Sequence, residues 1–236
     1  GYRWFVPLKN NIPTLFAAAL NGKIAQLSGN GRFDLAWGGA MAITVEKFKQ
    51  LKIEKLWLTA LSDDYCLSYA VKKAGLRMEF MPSCLVPSFE YFTFFSFFEF
   101  ARRQLLITRI YRPITWLAAL VGNLLSVIQI WGAVILVIFA YFLSLPNLSF
   151  FVALPVISLA SQLFIAYQRK RIVKTMLKDN YDQLRTAVRI DLCFFWLWPL
   201  LLLILLASSA FGRKIKWRGI KYNIISPEKT EIVQTT

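Results

Sequence analysis

The sequence predicts an α/β domain followed by an interfacial amphipathic helix and an α-helical transmembrane region. Hydrophobic residues make up 57% of the 236 residues, above the roughly 45–50% that is usual for soluble domains. Residues 113–168 contain no Asp, Glu, Lys or Arg, which is enough chain for two membrane spans. Residues 1–88 instead carry glycine turns and charged, periodic segments. We therefore expect an integral membrane protein whose soluble domain comes first.

The net charge and the histidine and cysteine content limit which binding partners and which reactions this chain is suited to. The net charge is +15, and the basic residues flank apolar runs, which favours an anionic bilayer surface over nucleic acid as a partner. The chain has no histidine, so Ser/His and Cys/His nucleophile relays are excluded. Its three cysteines are scattered and predict neither a disulfide framework nor a zinc site.

The soluble part, residues 1–88, reads as short helices and strands separated by glycine turns. The predicted elements before the central acidic helix are a helix at 12–20, a glycine loop at 37–39, a short buried strand at 41–43 and a Lys-rich helix at 45–56. After the acidic helix, loose alternation over 77–86, ending at Pro87, predicts a strand. This mixture is typical of an α/β unit.

The central acidic helix begins with two adjacent carboxylates, Asp63 and Asp64. Ser62 is a suitable N-cap and Gly75 a suitable C′ residue. The predicted buried face consists of Leu67, Ala70, Val71 and Ala74. Carboxylates in a first turn have a purely structural explanation, since they match the positive end of the helix dipole. The same pair also suits a catalytic base, and local sequence leaves both interpretations open.

Residues 89–112 are dense in aromatics and then in arginines, which predicts an amphipathic helix in the membrane interface. On a helical projection the aliphatic and aromatic side holds Phe97, Phe100, Ile107 and Tyr111, and the charged side holds Glu99, Arg102, Arg103, Arg109 and Arg112. The alternative is a helix packed on the soluble domain.

The membrane region begins with a hairpin over 113–168. We expect one span near 115–143, a second near 149–167, and a turn at Ser144–Asn147. Residues 169–190 then form a basic loop. Because basic residues lie on both sides of the hairpin, the soluble part and this loop are expected in the cytosol, at the inner membrane if the source is bacterial.

The last charge-free run, 192–212, marks a third membrane segment at 191–212, and a basic tail follows at 213–236. A full span would carry the tail outside, against the positive-inside tendency. A re-entrant segment bent at Pro199 keeps the tail in the cytosol, and we favour that interpretation.

Three segments carry a resemblance to a known family. The stretch SDDYCLSYAVKKAGLRMEFMP, 62–82, resembles the acidic-Asp-Tyr segment of membrane glycosyltransferases of family 2 and of ceramide glucosyltransferases. The segment 37–41 resembles the glycine-containing segment upstream in the same fold. KWRGIKY, 216–222, is similar to the Trp-Arg…Gly…Tyr signature of ceramide glucosyltransferases. Their order and approximate spacing agree over nearly the whole chain.

The resemblance implies roles for individual residues. Asp64 would be the general base and Asp63 its neighbour. The other implied contacts, to the donor diphosphate or the acceptor, come from Trp37, Gly38, Gly39, Trp217 and Arg218. The family's (Gln/Arg)-x-x-Arg-Trp motif should fall within 100–109, but no Trp follows an Arg there. Its expected stand-ins are Arg102, Arg103 and Gln104.

As a whole, the resemblance implies the C-terminal half of a GT-A type catalytic domain in an inverting glycosyltransferase. A sugar would move from a nucleotide-diphosphate donor, UDP-linked, to a lipid hydroxyl such as that of ceramide. The donor-binding half and its Asp-x-Asp are not in this sequence, so the Mg²⁺ or Mn²⁺ ligands are expected in a preceding segment, and this part alone should not turn over. Two alternatives stay open, a processive polysaccharide synthase and a non-enzymatic anchor subunit that binds anionic lipid.

Overall fold

The computed structural model describes residues 1–29, 34–38, 40–217 and 219–235. It is a mixed structure of helices and two small sheets. The helices are α1 Ile12–Ala25, α2 Val45–Gln50, α3 Ile53–Trp57, α4 Asp63–Lys73, α5 Phe94–Tyr111, α6 Pro113–Val127, α7 Ala133–Phe142, α8 Leu148–Met176, α9 Tyr181–Cys193 and α10 Trp198–Ser209. The strands are β1 Tyr2–Pro7, β2 Leu85–Glu90, β3 Lys214–Trp217, β4 Ile220–Ser226 and β5 Lys229–Thr235.

The soluble part is built on a parallel pair of strands, β1 and β2, whose connection includes α1 to α4. Trp4, Phe5 and Val6 are buried, because α1 packs across this pair. The strand predicted at 77–86 was wrong in position, since residues 82–84 form a 3₁₀ turn and β2 begins only at Leu85. Pro87 lies inside β2, and a strand paired on one edge tolerates a residue that cannot donate.

The segment between α1 and α4 departs from the prediction in two ways. Residues 41–43 form an extended loop and not a buried strand. The helix predicted at 45–56 is broken into α2 and α3 at Lys52, whose φ is +53°. The left-handed turn directs Ile53 into a core cluster with Leu67 and Val71, where it is fully buried. Burial of this one side chain, which local periodicity does not encode, accounts for the break.

The acidic helix α4 was predicted correctly at both ends. Ser62 is its N-cap, with the hydroxyl accepting from the Tyr65 backbone N–H at 3.5 Å, and Gly75 has the positive φ of +70° that follows a helix end. Its predicted buried face is confirmed except at Ala74, which is exposed. The helix ends at Lys73 with Ala74 as its C-cap, so Gly75 occupies the predicted C′ position.

Helix α5 packs its inner face on the soluble domain. Phe97 and Ala101 are buried in one cluster with Phe5 and Leu15. This face of α5 therefore fits the alternative prediction, a helix packed on the soluble domain. Phe94 and Phe95, in the first turn of α5, are 64% and 72% exposed. They form an exposed apolar surface at the start of the helix.

The predicted membrane hairpin is confirmed at the level of its helices. Pro113–Phe142 and Leu148–Met176 are long and apolar enough to cross a bilayer, with mean hydropathy of 2.3 and 2.1. The first contains one π-helical turn at Ile128–Gly132. Asn147, in the turn between the helices, has the left-handed backbone that residues of this type tolerate. The chain is therefore suited to a lipid bilayer.

The basic loop predicted at 169–190 is not a loop. Helix α8 continues to Met176 without a break, and α9 begins at Tyr181 after one 3₁₀ turn. Val173 of α8 and Leu184 of α9 are buried in one cluster with Tyr2 and Trp4 of β1. This packing holds both helices against β1, which explains why the segment is helical.

The third apolar run forms α10, which bends by 94° from α9. Its 12 residues cover about 18 Å, less than the hydrocarbon core of a bilayer. The bend lies at 194–197, just before the predicted position at Pro199, which occupies the first turn of α10. Trp198, Leu205 and Leu206 are buried, and α10 packs on α5 and α6. The pair α9–α10 would form a third span only if the chain crossed the bilayer as one span that is broken at the bend.

The segment that the sequence analysis describes only as a basic tail forms the antiparallel sheet β3–β4–β5. Ile215 and Ile224 are buried against Leu106 and Ile107 of α5. The tail packs here because these two isoleucines meet an apolar face of α5 that is distant in sequence.

A buried ion pair joins the second apolar helix to α9, and a hydrogen bond links its arginine to the soluble part. Asp191 of α9 accepts two hydrogen bonds from Arg169 of α8, at 2.6 and 2.8 Å, and Arg169 also donates to the Gln26 side chain at 3.1 Å. Both charged side chains are buried. Burial, together with the positive charge of Arg169, lowers the pKa of nearby Lys23 to about 8, and the negative charge of Asp191 opposes this shift. Asp191 is thus the counter-charge for this cationic group.

We expect Asp191→Ala to lower the free energy of unfolding by about 3–5 kcal/mol, because it leaves a buried guanidinium without a counter-charge. The measurement is thermal unfolding of the purified chain in detergent. The double variant Arg169→Met with Asp191→Leu should recover most of the loss, since it removes both charges. Equal losses in the single and double variants would contradict the role of the ion pair.

Candidate functional site

The candidate site is centred on Asp64, in the first turn of α4. Its Oδ1 accepts hydrogen bonds from the Ser62 hydroxyl and from the Tyr65 backbone N–H, the latter at 2.7 Å. Its Oδ2 accepts from the Gly38 backbone N–H at 3.1 Å. These bonds give the carboxylate one defined orientation, and Oδ2 keeps a lone pair for a further donor.

Asp63 occupies a different environment from Asp64. It is exposed, whereas Asp64 is half-buried. Its carboxylate accepts from the Asp64 backbone N–H at 2.9 Å, and its backbone carbonyl accepts from the Trp57 indole at 3.0 Å. The first turn of α4 therefore holds one acid in water and one acid beneath the glycine loop.

Hydrogen bonds of the Ser68 side chain link α4 to the residue that precedes the glycine loop. Ser68 of α4 accepts from the Ala36 N–H at 2.9 Å and donates to the Asp64 carbonyl at 2.7 Å. A Cβ on Gly38 would lie 3.4 Å from Asp64 Oδ2, so a larger side chain at position 38 would occupy the space beside the carboxylate. Trp37 packs its ring against Tyr2, with centroids 4.4 Å apart. Gly39 lies outside the described residues.

Helix α5 is joined to the base of α4 by two tyrosines. Tyr65 and Thr108 share a hydrogen bond of 2.7 Å. The Tyr111 hydroxyl accepts from the backbone N–H groups of Leu61, at 3.1 Å, and Ser62, at 3.4 Å. Burial raises the pKa of Tyr65 to about 12 and also raises that of Tyr111. Both phenols therefore stay neutral at physiological pH.

Sequence reasoning did not single out Thr108 or Tyr111 as site residues. Their signal was weak, because they are spaced along α5 like any other residues on one helical face. The contact with α4 arises only when the two helices cross.

The predicted arginines of α5 bind backbone carbonyls toward the C-terminus. Arg102 donates to the carbonyls of Ser208, at 3.0 Å, and Phe211, at 3.2 Å. Arg103 donates to the Lys216 carbonyl at 3.4 Å and lies over the Trp217 ring, 6.0 Å from its centroid. Among the described residues, no side-chain bond joins either arginine to the two acids.

Gln104 and the C-terminal motif are brought near the site by α5. The Gln104 side chain and Trp37 line one small apolar cavity of about 50 Å³ between β1, α1 and α5. The sheet β3–β5 reaches the loop that precedes the acidic helix, since the Thr230 N–H donates to the Thr59 carbonyl at 3.0 Å. Arg218 lies outside the described residues.

A larger open cavity of about 630 Å³ lies beside the glycine loop. Trp37 and Met41 line one side, Leu67 and Val71 of α4 another, and Arg77 and Lys47 contribute positive charge. Its lining among the described residues includes neither Asp63 nor Asp64. The cavity therefore adjoins α4 on the side of its buried face.

The described part of the chain contains no cluster of three Cys, Asp or Glu residues that could hold a metal ion. The expected metal ligands thus cannot be assigned to the described side chains. The chain matches no family model, no curated protein and no solved structure. The resemblance to membrane glycosyltransferases therefore rests on the motifs themselves.

We expect Tyr111→Phe to lower the free energy of unfolding by about 1–3 kcal/mol, because it leaves two backbone N–H groups at the base of α4 without their acceptor. Amide hydrogen exchange at Leu61 and Ser62 measures the effect locally. Tyr69→Phe is the matched control, since Tyr69 is on α4 itself and is 46% exposed. Unchanged exchange in Tyr111→Phe would contradict the anchoring role of the hydroxyl.

Proposed function

We propose that this chain carries the base-bearing and membrane-bound part of an inverting glycosyltransferase, which moves a sugar from a nucleotide-diphosphate donor to a lipid hydroxyl. The proposed donor is UDP-linked, and the proposed acceptor is ceramide or another membrane alcohol. The catalytic part would face the cytosol. The proposal builds on the motif resemblance and is supported by one contact above all.

That contact is the hydrogen bond from the Gly38 N–H to Asp64 Oδ2, at 3.1 Å. A carboxylate that only capped α4 would need no partner outside its own turn. Here the bond joins the glycine loop to the acidic helix across 26 positions of sequence. These are two of the three segments that carry the resemblance, so the contact supports a shared site.

The proposed reaction is a single in-line displacement. The lipid oxygen attacks the anomeric carbon, its proton passes to Asp64 Oδ2, and the bond from that carbon to the diphosphate oxygen breaks. The nucleoside diphosphate leaves with the bonding electron pair. Asp63 contributes negative charge beside the base and fixes the first turn through the Asp64 N–H. No step is assigned to a metal ion.

The arginines of α5 would act on the leaving group from the neighbouring surface. Arg103 is half-buried, and burial lowers its pKa from the usual value. Its guanidinium has five N–H donors, and one of them donates to the Lys216 carbonyl. Its remaining donors suit a diphosphate, for which planar bidentate groups are well matched. Arg102 is committed to α10 by two bonds and is the weaker candidate.

The apolar helices support a lipid acceptor in preference to a soluble one. The chain crosses directly from α5 into the first of the two candidate spans, with Arg112 between them. A lipid hydroxyl in the interface would therefore lie close to the helix that anchors α4.

We expect Asp64→Asn in the full-length enzyme to lower kcat by about 10²–10⁴-fold, the range for loss of a general base. The measurement is transfer of labelled sugar from UDP-sugars into membrane lipid. The amide occupies the same space as the carboxylate but cannot accept the proton. Membrane insertion should be unchanged.

Asp63→Asn is the matched control. It removes the same charge from the neighbouring residue, which is exposed. Its effect on kcat should be smaller than tenfold. Near wild-type transfer by Asp64→Asn would overturn the assignment of the base. Full tolerance at both acids, with strong dependence on arginine charge, would instead favour a non-enzymatic anchor that binds anionic lipid.

A further inference from the structure

A second polar cleft, separate from the acidic site, opens where α5 passes into the first apolar helix. Its volume is about 760 Å³. We call it the basic cleft and define its lining as Arg109, Ile110, Pro113, Ala210, Phe211, Gly212, Arg213, Ile225, Ser226 and Pro227. This described lining holds two arginines and no carboxylate.

The positive charge of the basic cleft is not neutralised within the described part of the chain. No carboxylate there forms an ion pair with Arg102, Arg109 or Arg213. Burial lowers the pKa of Arg109, and the charges of Arg213 and Arg102 lower it further. Like charges this close are stabilised by a bound anion.

The two arginines of the cleft are held in place with donors left over. Arg109 donates to the carbonyls of Ala210 and Gly212, and Arg213 donates to the Ile225 carbonyl. Each guanidinium has five N–H donors. The fixed side chains therefore present unused N–H groups in the planar arrangement that suits phosphate oxygens.

The surroundings of the cleft favour an anion that carries acyl chains. Pro113 begins the first candidate span, and Ile114 beside it is 83% exposed. Phe211, on the opposite wall, is 79% exposed. These exposed apolar side chains lie at the end of a candidate span, where acyl chains meet the lipid headgroups.

From these observations we propose that the basic cleft binds the phosphate of an anionic phospholipid, with Arg109 and Arg213 holding the headgroup and the acyl chains lying along α6 beside Phe211. The site does not depend on the glycosyltransferase proposal, because none of its residues belongs to the acidic site.

The test uses the full chain in a neutral detergent, with the thermal unfolding midpoint recorded as lipid is added. Dihexanoylphosphatidylglycerol is compared with dihexanoylphosphatidylcholine and with inorganic phosphate at equal ionic strength. We expect a saturable rise in the midpoint with the anionic lipid and no rise with the other two at the same concentrations.

The decisive variant is Arg213→Gln, because Arg213 is exposed and its loss removes one backbone contact. We expect it to weaken the apparent affinity for the anionic lipid about tenfold, the size of one charge-assisted hydrogen bond. Arg213→Lys should weaken it less. Arg185→Gln, an exposed change of equal charge on α9, should leave it unchanged.

Three results would overturn the proposal. The first is equal affinity for the anionic lipid in the wild type and in Arg213→Gln. The second is an equal rise with inorganic phosphate, which would mean a site for free anions. The third is an equal rise with phosphatidylcholine, which would mean that acyl chains alone bind.

Discussion

The C-terminal end of α10 depends on two arginines of another helix. A helix end leaves carbonyls without intrahelical donors and carries partial negative charge. Arg102 and Arg109 of α5 donate to the carbonyls of Ser208 and Ala210 at this end, and to those of Phe211 and Gly212 just beyond it. This contact ends a short apolar helix inside the protein, holds it against α5 and α6, and sets the point from which the C-terminal sheet begins.

Helix α5 contacts the soluble part, the first apolar helix, α10 and the C-terminal sheet. One face closes the core over β1 through Phe97 and Ala101, and another receives Ile215 and Ile224 of the C-terminal sheet. Its last turns reach the base of α4 through Thr108 and Tyr111. A change in the angle of α5 would therefore move the acidic turn, the sheet and the basic cleft together. That coupling fixes the position of the acidic turn relative to the first apolar helix.

The same residue types serve structure and proposed chemistry within this arrangement. Asp64 accepts bonds as a first-turn carboxylate should, and in addition accepts the N–H of Gly38. The arginines of α5 divide in a similar way, since Arg102 is committed to α10 and Arg109 borders an open cleft. Residue type alone does not separate these uses, because a guanidinium binds a backbone carbonyl and a phosphate with the same N–H groups.

By itself, the sequence determined the features whose cause is local. The two apolar helices follow from an uncharged run, and α4 follows from Ser62 and Gly75, whose preferences act within one helical turn. Tertiary contacts decided the rest. Lys52 breaks a helix so that Ile53 is buried, and the basic tail forms strands because α5 offers an apolar face. The contact between Gly38 and Asp64 is likewise tertiary, since it joins residues 26 positions apart whose approach depends on how the loop packs against α4.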